Sequence, residues 1–171
     1  MRRDSLLRYV SFFLFLWSCA TPAAHRQEHD NGWLRLEAGA FSVYAPSGWE
    51  FHQKQGVDSY VGEFAGEGIV LKFDYGQYSS PLDEAKEPKY AVALESIGGH
   101  KAKVVYPRVP GHGVTGIYFK KITGSDALCL WGQDLTATQQ ELVLKMFETI
   151  RFGGPIPYVV PPPPAREKNM Q

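Results

Sequence analysis

The residues with the right types to do chemistry fall in a few short stretches. Asp74-Tyr75-Gly76 and Tyr78 close a candidate strand, and His100 follows Gly98-Gly99 at the turn of a candidate hairpin. Tyrosines at a strand end offer apolar area with a polar tip, which suits recognition. Asp74, Tyr75, Tyr78 and His100 are therefore the candidate binding residues. The bland reading is sheet-edge packing, with Asp74 satisfying the turn. Ser79, Ser80, Ser96, His100, His112, Asp74 and Asp83 supply the types needed for a nucleophile and its base. A hydrolase with its site near His100 or His112 is the alternative function. It requires an imidazole within hydrogen-bond reach of a Ser or Asp. No G-x-S-x-G, H-E-x-x-H, zinc-spaced Cys pair or phosphate loop occurs, so no catalytic residue is assigned. Gly111 to Gly116 spells G-x-G-x-x-G. However, Pro107 and Pro110 precede it and the strand-like Ile117-Tyr118-Phe119 follows, so it reads as a loop. His25 and His29, with Glu28 and Asp30 nearby, would share a helix face and could ligate zinc or nickel, but a polar tether does not provide the supporting shell that a metal site needs. No metal and no cofactor are expected.

What could hold such residues depends first on where the chain goes. Met1-Arg2-Arg3 is a basic start, and Tyr9 to Trp17 is apolar apart from Ser11. That run is too short for a membrane span, which needs about 20 residues. Residues 1–18 have the layout of a signal peptide. Leu16-Trp17-Ser18-Cys19 resembles the bacterial lipobox, with Trp17 departing from the usual small residue. The resemblance implies that Cys19 becomes the first residue and carries a diacylglyceryl group, palmitate among its acyl chains. With Ala20 rather than Asp next, it implies the outer membrane, facing the periplasm, in a two-membrane bacterium. The alternative is cleavage after Ala20 and a secreted or soluble periplasmic protein. Either way Cys129 is left without a partner cysteine and, between Leu128 and Leu130, reads as a small buried hydrophobe.

The whole chain carries 18 basic and 18 acidic residues, and removal of residues 1–18 leaves a formal charge of −2. No clustered basic excess supports nucleic-acid binding. Lys101, Lys103, Lys120 and Lys121 read as ordinary solvated positions. Residues 19–31 form a tether, 32–152 a single domain and 153–171 a tail. The tail's Pro161-Pro162-Pro163-Pro164 run favours an extended polyproline conformation. Within the domain, Phe41 to Ala45 alternates at period two, and three pairs of strand-like runs flank turns: Ala65 to Gly68, Gly98 to His100, and Gly124 to Asp126. Consecutive hairpins predict an antiparallel sheet. Ala127 to Trp131, apolar on both alternating faces, is the expected central strand. Trp33, Trp49 and Trp131 are expected in the core or at its rim. Thr136 to Gln139 fits a capping box, and Leu142, Val143, Met146, Phe147 and Ile150 then recur at helical spacing, predicting a helix over about 137–149. Pro81 to Glu87 is a candidate shorter helix. The class is α+β, an antiparallel β-sheet flanked by helices.

Several of these stretches also occur together in a known group. Phe41-Ser42-Val43 leads to Pro46-Ser47-Gly48-Trp49. Phe73-Asp74-Tyr75-Gly76, Ile97-Gly98-Gly99-His100-Lys101-Ala102 and Thr149-Ile150-Arg151-Phe152 follow. The pattern, over residues 33–152, resembles uncharacterised bacterial secreted proteins and lipoproteins with a PsbP-like fold. The resemblance implies an antiparallel sheet between helices and a protein-binding accessory role. No functional residue is carried over by it. The leading expectation is a lipid-anchored, non-enzymatic envelope accessory protein that binds another envelope protein or a small ligand.

Overall fold

The computed structural model describes residues 32–154. The expectations for Cys19, the signal, the tether with His25 and His29, and the tail from residue 155 onward lie outside the described residues.

The strands are β1 (Leu34–Glu37), β2 (Phe41–Ala45), β3 (Glu50–Lys54), β4 (Tyr60–Gly66), β5 (Ile69–Gly76), β6 (Tyr90–Ile97), β7 (His100–Pro107), β8 (Val114–Phe119), β9 (Ala127–Gln133) and β10 (Arg151–Phe152). One helix, α1 (Ala137–Glu148), precedes β10. Seven strands form one antiparallel sheet in the order β3-β4-β5-β9-β8-β7-β6, and β1-β2-β10 form a small second sheet. β9 is the middle strand of the seven, as its two-sided apolarity predicts, and Ala127 to Leu130 are all buried.

Period-two alternation decides which side chains meet the core. On β5, Ile69, Leu71, Phe73 and Tyr75 turn inward, while Val70, Lys72 and Asp74 turn to the outer face. The inner face packs on Phe41, Val43 and Ala45 of β2 and on Val143, Met146, Phe147 and Ile150 from α1 and its end. Phe41 meets Phe73 edge-on with ring centroids 5.0 Å apart. Each such fully buried side chain contributes about 1.5–3 kcal/mol through burial. Helix α1 starts as expected, since Thr136 and Gln139 bond reciprocally as a capping box. At its other end the Thr149 hydroxyl accepts from the Tyr44 amide at 2.9 Å, joining helix to β2.

Two turns fix the register of their hairpins. Glu67-Gly68 and Gly98-Gly99 all have positive φ, between 53° and 82°, which is the geometry of a tight two-residue hairpin.

Of the expected flanking helices, the described residues contain one α-helix, α1, which covers the inner face. The candidate helix at Pro81–Glu87 is a single 3-10 turn, Asp83–Lys86. Pro81 and Pro88 bracket too few residues for a stable α-helix. The segment 77–89 instead crosses the outer face as a strap, and Leu82 at 3% exposure packs on Val105 and Cys129. Trp49 is buried, and Trp33 and Trp131 are half-buried rim residues. Cys129 is fully buried.

Candidate functional site

The four sequence-nominated binding residues do not form one cluster. Asp74 and Tyr75 are successive strand residues, so their side chains point to opposite faces. Tyr75 is 3% exposed and sits opposite Tyr60, not partly exposed as a recognition residue would be. Burial pushes its hydroxyl above the usual tyrosine range, a bond to Thr123 pulls it back, and Asp126 raises it further. Asp74 is half-buried on the outer face beside Cys129, and its Oδ1 has no hydrogen-bond partner among the described residues. It does not satisfy the turn after β5. Ser79 does: the carbonyls of Asp74, Gly76 and Ala127 lie 2.9, 3.1 and 3.2 Å from its Oγ, which donates its single proton among them. Tyr78 lies past the strand end, 77% exposed. His100 opens β7, three strands from β5 and thus about 14 Å away laterally. Its ring packs edge-on against Phe152 at 4.7 Å.

Neither His100 nor His112 bonds to a Ser or Asp among the described residues. His112 is exposed in the loop between β7 and β8. The nucleophile–base geometry the alternative function needs is not formed at either one. The G-x-G-x-x-G stretch ends inside β8 and leads to no helix N-terminus, so it is a glycine-rich loop. Among the described residues no group of three His, Cys, Asp or Glu is placed to hold a metal ion.

The outer face of β6, β7 and β8 carries a different site. Across the Gly98-Gly99 turn, Ser96 pairs with Lys101 and Leu94 with Lys103, and Lys103 pairs in turn with Tyr118. Lys120, just past β8, continues the alternation from Tyr118. Together with Glu95 and Ala102, whose strand parity is the opposite one, these residues line a groove of about 630 Å³, a size that suits a small organic ligand or a short peptide segment. Leu94 and the Tyr118 ring give it an apolar floor. Leu94 is 82% exposed, the most exposed large apolar side chain described. Burial pushes the Tyr118 hydroxyl up, with Cys129 adding to the shift.

The three lysines differ in what they do. Lys103 Nζ donates to the carbonyls of Pro81 and Leu82 and stands 5.7 Å over the Tyr118 ring. It ties the strap down and forms one wall of the groove. Lys101 and Lys120 are exposed, and neither is ion-paired among the described residues. The reading of these lysines as ordinary solvated positions is therefore corrected for Lys103, and the rim they make was missed. The signal was available. A two-residue Gly-Gly turn closes on Ile97 and His100, which sets Ser96 against Lys101 and Leu94 against Lys103 on one face.

Two smaller hollows lie elsewhere. One of about 220 Å³ is lined by Ser80, Leu82 and Trp131 on the other side of the strap. One of about 240 Å³ lies at the end of β5, between Asp58, Tyr75 and Asp126. Comparison with protein-family models, with curated proteins and with solved structures gave no match to this chain.

Proposed function

We propose that this chain is a lipid-anchored, non-enzymatic accessory protein of a bacterial cell envelope. The scaffold would be PsbP-like and the anchor Cys19. The groove on the outer face is its binding site, and its ligand is part apolar and part anionic. The carrying observation is a pair of lysines, Lys101 and Lys120, without an ion-pair partner among the described residues, at the rim of an apolar surface made by Leu94 and Tyr118.

Magnitudes define the ligand. An exposed ion pair contributes about 0.2–1 kcal/mol, so two or three of them reach at most about 3 kcal/mol. Charge alone would bind more weakly than about millimolar. The apolar floor must supply the rest, at about 25 cal/mol per Å² removed from water. An inorganic anion is too small to use both.

Anilinonaphthalene sulfonate, a small aromatic anion, is a direct probe. Its fluorescence should rise on saturable binding at one site in the full-length protein. The double variant Lys101→Glu/Lys120→Glu should weaken that binding about tenfold, while Lys54→Ala on the far edge leaves it unchanged. Equal binding by the double variant, or none by the native chain, overturns the reading.

A further inference from the structure

The groove opens onto an edge strand whose outer side has no partner strand among the described residues. β6 is the last strand in the order of the seven-stranded sheet and is 8 residues long. Its tight turn makes Ile97 and His100 the closing hydrogen-bonded pair. Glu95, Ala93 and Ala91 therefore bond to β7, while Ser96, Leu94 and Val92 direct N–H and C=O away from it. Tyr90 has the same parity, and its amide donates to the Glu87 carbonyl, outside the ladder. No such backbone partner meets Val92, Leu94 or Ser96 among the described residues. Their side chains face the groove side, with Val92 46% and Leu94 82% exposed.

The opposite edge is built the other way. β3 has 5 residues. Its Glu50 and His52 lie close together, and its Lys54 pairs with Glu63. Short charged edges discourage strand pairing, and long apolar ones permit it.

We propose that β6 is a strand-addition site. An extended segment of another envelope protein, with acidic and apolar residues at alternate positions, pairs with β6 and lays its acidic side chain into the lysine-rimmed groove. This rests on the groove being the binding site. In an antiparallel addition the residue opposite Ser96 falls in the row of Lys101, about 10 Å away between Cα atoms. A glutamate and a lysine together span that gap. The residues opposite Leu94 and Val92 would then be apolar, giving the order acidic, any, apolar, any, apolar. Other occupants fit less well. The chain's own tail carries Pro161 to Pro164, which cannot donate to a ladder. A second copy would present Val92, Leu94 and Ser96 where the lysines require a carboxylate.

The test is amide hydrogen exchange and affinity of the full-length protein with a short synthetic peptide, Thr-Thr-Glu-Thr-Val-Thr-Val-Thr-Thr. Protection should appear within residues 90–97. Val92→Pro removes one outward donor without touching the β7 ladder and should weaken binding about tenfold. Leu94→Lys changes no backbone group and should weaken it similarly. Lys101→Glu/Lys120→Glu should reject this peptide and accept one with Lys in place of Glu. If both edge variants bind normally while the lysine variant does not, strand addition falls and the groove reading stands. Binding of phosphatidylglycerol vesicles but not of the peptide overturns the proposal in favour of a membrane surface. Concentration-dependent dimers lost in Val92→Pro overturn it in favour of a second copy. If neither the dye nor the peptide binds, both readings fall.

Discussion

Tyr60 and Tyr75 face each other across β4 and β5, each 3% exposed, and burial pushes both hydroxyls above the ordinary tyrosine range. Tyr118 shifts the same way. An unfolded tyrosine loses its proton near pH 10. The folded chain holds these protons to higher pH, so above about pH 10 it binds more protons than the unfolded chain. Stability should therefore be flat with respect to these groups below about pH 10 and fall as pH rises beyond it. Urea unfolding followed across that range should show the midpoint dropping, with the part of the tyrosinate absorbance that belongs to these buried residues appearing together with unfolding. Tyr75→Phe should reduce the slope. A midpoint that stays constant well above pH 10 would contradict the assignment. At this scale the sequence was readable where parity could be followed. Ile69, Leu71, Phe73 and Tyr75 share one, so Tyr75 belonged to the core from the start. The nomination of Tyr75 with Asp74 as one cluster ignored that successive strand residues part company. The orphaned Oδ1 of Asp74 was beyond reach, since it depends on what β9 and the strap set around it.

At the scale of elements, the strap over 77–89 was the least readable part of the fold. Its sequence has no apolar period of its own, and only the sheet beneath gives Leu82 a place to pack. The tie that holds it comes from another element, through Lys103 on β7. Hydrogen bonds from a charged donor contribute about 1.5–3 kcal/mol, and exposure on one side reduces this to about 1 kcal/mol. Lys103→Met should therefore raise amide exchange across residues 80–87, measured by mass spectrometry, and leave exchange in β9 nearly unchanged. Unaltered exchange in the strap would show that Leu82 alone holds it. Hairpins fared better, because Gly98-Gly99 states its own register. The pairing of β9 with β8 follows from the Gly124–Asp126 turn, but its pairing with β5 does not follow from any local signal. It follows from Leu128 and Leu130 finding cover on the inner face while Cys129 finds it under Leu82.

For the molecule as a whole, the expected attachment rests on Cys19. A bacterium expressing the full-length chain should yield a product that begins at Cys19, carries added acyl mass and partitions into detergent. Cys19→Ala should abolish both properties. A water-soluble product beginning after Ala20 would replace the anchored protein with a free one and leave the groove reading to its own test. The two small-sheet strands that flank β2 come from opposite ends of the domain: β1 from its start and β10 from its finish. The Tyr44–Thr149 bond that accompanies them joins residues 105 apart in sequence. A chain made from its N-terminus at about 5–20 residues per second therefore leaves β2 without its α1 and β10 partners for roughly 5–20 s. Such distant closure is slow. The domain therefore cannot close around β2 until its last strand is made, so a chain that stops short of β10 leaves one side of β2 open.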